Sequence, residues 1–208
     1  MIKLAELLKL REMVYAKKIK PKHQKRMERE LSMFDENLPL PKMDPPTNDS
    51  KVTIKELHEL AAIKPNVEFV KSGDDVVKSF LPLMEKNEVK VSEEIITRLI
   101  KESGKFIYKL KYHYNRPRPY QLAEFYQMDL NGVELDSMKT PSYPSGHATQ
   151  GYLVGEYLAM KDPQNAHEYK QVGEDIAHSR IVAKAHYPSD KKYGKKIASH
   201  LATSMKKI

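Results

Sequence analysis

Three short segments carry the residue types that could bind a phosphate ester and split it. The first is basic and covers residues 111–119, the second is a turn at residues 144–147, and the third covers residues 179–190. The residues of interest in them are the cations, two of the three histidines, a carboxylate and a turn of small residues. The chemistry that this set favours is phosphoryl transfer, in which cations hold the phosphate oxygens while an imidazole attacks phosphorus.

In the third segment, His186 and Asp190 are four residues apart. On a helix this spacing puts both side chains on one face, and Pro188 is typical of a helix that begins there. The carboxylate could accept the Nδ1 proton of the imidazole and leave Nε2 as a nucleophile. Arg180 has a planar guanidinium that suits two phosphoryl oxygens. The alternatives are a surface hydrogen bond for the pair and an ordinary salt bridge for the arginine.

The second segment is a turn in front of a predicted helix. Pro144 and Gly146 favour a tight turn, and the free amides at the start of a helix bind anions. Ser145 adds a hydroxyl donor, and His147 in the first helical turn could protonate a leaving oxygen. The alternative is a capped helix with a partly buried histidine.

The first segment is cationic. Lys111 and Arg118 are seven residues apart, close to two helical turns, so on an unbroken helix they would share a face. A break at residues 115–117 would let Arg118 point elsewhere. The register is open at this point, because Lys109 and Arg116 have the same spacing. The alternative is a basic helix end that complements its own dipole.

The composition favours a helical protein. The 208 residues include eight glycines and no cysteine, and strand-like alternations of Val, Ile and Thr are scarce. Without cysteine, disulfides, thiol chemistry and thiolate metal sites are excluded. The predicted class is all-α, a compact helical bundle. Helices are expected at about residues 2–19, 23–36, 53–63, 74–86, 92–114, 145–160, 164–185 and 188–206.

Neither a secretory signal nor a membrane span is predicted. Charged residues interrupt the apolar run at the N-terminus, and no apolar stretch approaches the roughly 18 residues that a spanning helix needs. We therefore expect a cytoplasmic protein, with the periplasm less favoured.

The net charge of +8 is concentrated near the N-terminus, where residues 1–30 hold ten Lys and Arg against four Asp and Glu. A nucleic-acid-binding arm is one interpretation. Aromatic residues do not alternate with these charges, so a solvated helical face is favoured and nucleic acid is not an expected partner. We expect residues 1–40 to form a basic helical extension and residues 41–208 to form the domain that carries the three segments.

Taken together, the three segments resemble the signature of the phosphatidic-acid phosphatase type 2 and vanadium haloperoxidase superfamily. That signature is Lys, six residues, Arg-Pro; then Pro-Ser-Gly-His; then Ser-Arg, five residues, His, three residues, Asp, and every position is present. Within the superfamily, the class A bacterial non-specific acid phosphatases are the most similar, because residues 111–119 share their spacing of Lys, His-Tyr, Arg and Arg-Pro. This resemblance covers about residues 45–205 and selects Lys111 and Arg118.

The resemblance implies a metal-independent phosphomonoester hydrolase of broad specificity that needs no cofactor. It implies that His186 attacks phosphorus and becomes a phosphohistidine, that Asp190 orients it, and that His147 protonates the leaving oxygen. The phosphate-binding residues that it implies are Lys111, Arg118, Ser145, Gly146 and Arg180. The expected ligands are small phosphorylated substrates, phosphate and inhibitory vanadate, and a homodimer is an open option.

Three other functions stay open at this point. A vanadate-dependent haloperoxidase would use the same residues, with His186 as the axial vanadate ligand, but such proteins are usually much longer. A lipid phosphatase would be embedded in a membrane, and no span is predicted. A basic nucleic-acid-binding module would leave residues 144–147 and 179–190 unexplained.

Overall fold

The computed structural model describes residues 4–206, and all regular secondary structure in that range is helical. The predicted all-α class is therefore confirmed. The helices are α1 Leu4–Glu12, α2 Pro21–Met27, α3 Lys51–Ala62, α4 Val67–Ser72, α5 Val76–Lys86, α6 Glu93–Tyr114, α7 Pro119–Phe125, α8 Gly146–Lys161, α9 Ala166–Val182 and α10 Pro188–Thr203. Short 3₁₀ turns cover Asp136–Met138 and Pro163–Asn165. Between residues 4 and 206, none of the helices combines the length and apolar character needed to cross a bilayer.

Helices α8, α9 and α10 form the centre of the bundle, and α6 packs on α8. Glycine residues let the backbones of α8 and α9 come into direct contact. A Cβ atom added to Gly173 would lie 2.8 Å from the carbonyl oxygen of Gly151, and a backbone atom cannot move aside as a flexible side chain can. This close approach fixes the start of α8, which carries His147, relative to the end of α9, which carries Arg180.

We expect Gly173→Ala to lower the free energy of unfolding by about 1–3 kcal/mol, the usual cost of forcing extra atoms into a packed contact. Gly104→Ala in α6 is the matched control, because an added Cβ there meets nothing within 4 Å. Where there is room, such a change stabilises by about 0.4–1 kcal/mol. Urea unfolding measures both variants. A Gly173→Ala protein as stable as the parent would mean that glycine does not set the α8–α9 distance.

Several residues between positions 10 and 40 pack against the rest of the chain. Leu10 in α1 is buried in one cluster with Leu57 of α3, and Met33 and Phe34 lie in the main core. Helix α2 packs along α6. The division of the chain at residue 40 into an extension and a domain stays a prediction.

The helix predicted over residues 2–19 ends at Glu12, and residues 2 and 3 of it lie outside the described range. The reason is a contact distant in sequence. The side-chain amide of Asn115 donates to the carbonyl of Ala16 at 2.7 Å, and the Asn115 carbonyl accepts from the amide of Tyr15 at 2.9 Å. These bonds hold the segment against the end of α6 in a non-helical form. Helices α4 and α7 are absent from the prediction, because six or seven residues are too few to show a periodic pattern.

Candidate active site

A cleft of about 310 Å³ lies between the end of α6, the start of α8 and the segment before α10. Five residues selected from the sequence line it: Lys111, Arg118, Gly146, His147 and His186. The other three, Ser145, Arg180 and Asp190, are buried next to these residues and are not on the cleft wall.

Local structure explains how the basic segment reaches the cleft. Asn115 ends α6 in the left-handed conformation with φ 48°, which asparagine tolerates better than most residues. Pro119 then begins α7, a position that proline favours. Lys111 therefore lies in the last turn of α6, and Arg118 lies just before α7.

His186 is held between a carboxylate and a guanidinium. Its Nδ1 lies 3.1 Å from Oδ2 of Asp190, and its Nε2 lies 2.9 Å from Nη1 of Arg118. Because a guanidinium only donates hydrogen bonds, Nε2 is the acceptor and the ring proton is on Nδ1. Burial, followed by the charge of Arg118, lowers the pKa of His186 well below its usual value. His186 is therefore a neutral imidazole whose Nε2 carries the lone pair that a nucleophile needs.

Asp190 is fully buried, and both of its oxygens accept hydrogen bonds. Besides His186, Oδ2 accepts from the amide of Tyr187 at 3.0 Å and from the hydroxyl of Ser142. Oδ1 accepts from Arg116 at 2.7 Å. Burial by itself would raise the pKa of the Asp190 carboxyl, but Arg116 and His186 lower it below its usual range. The ionised carboxylate fixes the ring orientation and the tautomer of His186.

Arg116 connects Asp190 to a second buried carboxylate. Its guanidinium lies 2.7 Å from Asp190 and 3.3 Å from Glu56, and it stacks on the ring of Tyr187 at 3.8 Å. Glu56 also accepts from the amide and the hydroxyl of Ser189, at 2.6 and 2.8 Å. This network ties α3 to the start of α10, where Asp190 lies.

His147 lies in the first turn of α8, with 19% of its side chain exposed. Its Nε2 is 3.0 Å from the carbonyl oxygen of Asp74. A carbonyl only accepts, so Nε2 carries a proton, and Nδ1 is the nitrogen left for a substrate oxygen. Burial and the nearby charge of Arg180 lower the pKa of His147 to about 4.

Arg180 is completely buried beside the same loop. Its three nitrogens donate to the Asp74 carboxylate at 2.7 Å, to the Val70 carbonyl at 2.6 Å and to the Ser179 hydroxyl at 3.0 Å. Since a guanidinium has five N–H groups, two of them are left. The role of Arg180 as a phosphate ligand stays a prediction.

Lys111 and Arg118 are buried cations whose direct partners include no carboxylate between residues 4 and 206. Lys111 donates to the carbonyl of Pro141 at 2.6 Å, and Arg118 donates to the carbonyl of Ala185 at 2.7 Å. Burial, followed by the neighbouring Arg118, lowers the pKa of Lys111, and burial lowers that of Arg118 to about 10. Two adjacent cations in a place of low polarity attract an anion strongly.

Ser145 and Gly146 form the turn in front of α8. The Ser145 hydroxyl accepts from the amide of Ala148 at 3.3 Å, and its amide donates to the carbonyl of Asp190 at 3.1 Å. The hydroxyl therefore keeps its own proton to donate. Gly146 lies on the cleft wall at the first position of the helix, where backbone amides are free.

Sequence reasoning gave no role to Glu56, Arg116 or Asp74. Glu56 could have been recognised from the sequence. It shares the buried side of α3 with Leu57 and Leu60, where a carboxylate requires a partner. Arg116 was visible as the alternative register to Arg118 and as one arginine of the class A spacing, but neither pattern assigned it a role. Asp74 lies in a polar loop, and nothing in the sequence distinguishes it.

Three curated proteins that are similar to part of this chain are all named acid phosphatases. An acid phosphatase of Zymomonas mobilis subsp. mobilis is 34% identical over 108 residues, which cover 50% of this chain and 39% of that protein. Non-specific acid phosphatases of Salmonella typhimurium and Salmonella typhi are 31% and 30% identical over 90 and 92 residues, which cover 43% of this chain and 35% of each relative. The chain therefore aligns with less than two fifths of the length of these relatives.

A family match covers a larger part of the chain. Residues 95–206 match the PAP2 superfamily. This region includes all eight residues selected from the three segments. Because the match extends over more than half of the sequence, the chain belongs to the PAP2 superfamily, as the signature of its three segments predicts.

Proposed function

We propose that the chain is a metal-independent phosphomonoesterase of the acid phosphatase kind, which acts through a phosphohistidine on His186. The observation that carries the proposal is the state of that imidazole. Its proton is held on Nδ1 by the buried carboxylate of Asp190, and its Nε2 is kept as an acceptor by Arg118. The names of the relatives support the same class of reaction.

In the proposed first step, Nε2 of His186 forms a bond to phosphorus and the bond from phosphorus to the ester oxygen breaks. The ester oxygen takes a proton from Nδ1 of His147 and leaves as an alcohol. The positive charge that develops on His186 is stabilised by the carboxylate of Asp190. In the second step, water gives a proton to His147 and attacks phosphorus, the P–N bond breaks, and phosphate is released.

The phosphate oxygens carry the charge of the transition state, and preorganised donors lower the barrier most at those atoms. In this proposal Lys111, Arg118 and the Gly146 amide bind them from the cleft wall. The unused proton of the Ser145 hydroxyl and the two unused N–H groups of Arg180 complete the set. Small phosphorylated compounds are the proposed substrates, while the cytoplasmic location and the homodimer stay predictions.

The proposal is tested with a chromogenic aryl phosphate in excess chelator. We expect turnover that the chelator does not reduce, and competitive inhibition by vanadate, which mimics the five-coordinate transition state. Activity lost in chelator and restored by a divalent cation would contradict metal independence. Halogenation that requires vanadate, peroxide and bromide, without ester hydrolysis, would favour the haloperoxidase alternative.

We expect kcat/KM to be highest on the acidic side of neutrality. His186 must be neutral to attack, and its pKa is lowered well below 6.5, so it is neutral already in mild acid. His147 must be protonated to donate, and its pKa is lowered to about 4, so its protonated fraction falls as the pH rises above that value. The pH profile of kcat/KM for an alkyl phosphate measures this decline. The decline should be weaker in His147→Asn, which separates it from titration of the substrate, and an alkaline optimum would contradict the assignment.

A further inference from the structure

Helix α2 forms one side of the cleft, although it lies in the N-terminal region outside the family match, which begins at residue 95. Three of its side chains line the cleft together with Lys111 and His186, and these are Lys22, His23 and Arg26. A helix without a part in the signature therefore contributes to the place where a substrate would bind.

His23 anchors α2 to α6. Only 2% of the residue is exposed, its Nδ1 lies 2.6 Å from the hydroxyl of Tyr112, and its ring centre lies 5.0 Å from that of Tyr108. Burial, followed by the charges of Lys22 and Arg26, lowers the pKa of His23 to about 4, so the ring is neutral near pH 7. The two cations are four residues apart, so they lie one helical turn apart on one face.

Neither Lys22 nor Arg26 forms an ion pair with a carboxylate within residues 4–206. The Lys22 side chain has no hydrogen bond or ion pair in that range, although its charge acts on the Asp136 carboxylate. Arg26 donates to the hydroxyl of Tyr108, with its guanidinium 5.1 Å from the ring centre. The carboxylate of Asp136, the one acidic side chain on the described wall of the cleft, is paired with Lys139.

The cleft carries more positive charge than one phosphate monoester would neutralise. The basic side chains on its wall are Lys22, Arg26, Lys111, Arg118 and Lys139. A phosphate monoester dianion bound at Lys111 and Arg118 offsets two positive charges, and Asp136 offsets that of Lys139. Lys22 and Arg26 face the same space, and the single carboxylate of Asp136, on which Lys22 also acts, cannot balance both of them together with Lys139. The surplus of positive charge raises the local concentration of anions.

We propose that Lys22 and Arg26 form a second phosphate subsite, and that the favoured substrates are small molecules with a second phosphate besides the one that is removed. This inference rests on the proposed phosphatase function. An ammonium group and a planar guanidinium suit the oxygens of one phosphate. Because the second phosphate does not react, its binding is the same in the ground state and the transition state, so it lowers KM and leaves kcat nearly unchanged.

The experiment compares alkanediol bisphosphates of increasing chain length with alkanol monophosphates of the same lengths. At low salt we expect the full chain to prefer the bisphosphate by about 10- to 100-fold in kcat/KM at the best length, mainly through KM. The preference should shrink as salt is added. Lys22→Gln and Arg26→Gln should each remove most of the preference. Lys25→Gln is the matched control, because Lys25 is exposed on the same helix but absent from the cleft wall.

The outcomes separate this inference from the function on which it rests. Equal kcat/KM for both series at every length, with good hydrolysis of the monophosphates, would overturn the second subsite and leave the phosphatase function standing. A preference that survives both substitutions would also overturn it. Failure to hydrolyse either series would refute the phosphatase function and the inference with it. Lys22→Gln is the cleaner variant, because Arg26→Gln also removes the contact with Tyr108.

Discussion

Replacement of His186 by alanine is expected to lower kcat/KM for an aryl phosphate by about 10⁴-fold or more, the scale seen when a covalent nucleophile is removed. The side chain is 3.1 Å from Asp190 and 2.9 Å from Arg118, and alanine offers no atom that could accept the phosphoryl group. Steady-state kinetics measure the loss. Rapid quenching in alkali with labelled substrate adds a direct signature, because a phosphohistidine survives alkali: the parent protein should retain label and the variant should not.

The control for this loss is His167→Ala, which removes an exposed imidazole at the start of α9, away from the cleft. Its activity should equal that of the parent. Circular dichroism shows whether His186→Ala remains folded, and His186→Gln offers a second variant that keeps a polar group beside Arg118. Full activity in a folded His186 variant would exclude this residue as the nucleophile.

Replacement of His147 by asparagine should have an effect that depends on the leaving group. For an alkyl phosphate, whose alkoxide must be protonated as it leaves, kcat/KM should fall by about 10²- to 10⁴-fold. For a nitrophenyl phosphate, whose phenolate leaves without a proton, the fall should be much smaller. The measurement is therefore a ratio of two values of kcat/KM, and a general change in the fold would lower both values alike.

The ratio of kcat/KM for alkyl and aryl phosphates depends only on the steps up to the transfer of the phosphoryl group to His186. Since kcat/KM covers the steps up to phosphoryl transfer, slow hydrolysis of the phosphohistidine lowers kcat and does not change the ratio. His167→Asn is the matched control and should leave both values unchanged. Equal losses for alkyl and aryl phosphates in His147→Asn would mean that His147 does not protonate the leaving oxygen, in spite of its place on the cleft wall.

The residues proposed to react could be located in the sequence because the spacings within each segment are local. His186 lies in the bend just before α10 and Asp190 lies in its first turn, so a separation of four residues brings their side chains within 3.1 Å although one of the two is not helical. The basic segment was less decisive. Periodicity could not distinguish Lys111 and Arg118 from the pair two residues earlier, and the family resemblance selected the pair that lines the cleft.

Contacts distant in sequence could not be predicted in this way. Asp74 meets His147 from a loop more than 70 residues away, and His23 meets Tyr112 from a helix outside the signature. Neither contact leaves a periodic pattern, because each depends on how whole helices pack. The irregular segment after α1 has the same cause: its contacts with Asn115 outweigh the local helical tendency.

In the proposed mechanism, the loop between α4 and α5 affects the pH optimum without taking part in the bonds that form and break. Through Asp74 it contacts His147 by a main-chain carbonyl and Arg180 by a carboxylate, yet it supplies no reacting atom in the proposed mechanism. Under the proposed mechanism, we therefore expect substitutions in this loop to shift the pH optimum while the reacting groups stay the same. The pH optimum of the proposed reaction can thus evolve through a segment that has no contact with phosphorus in that mechanism.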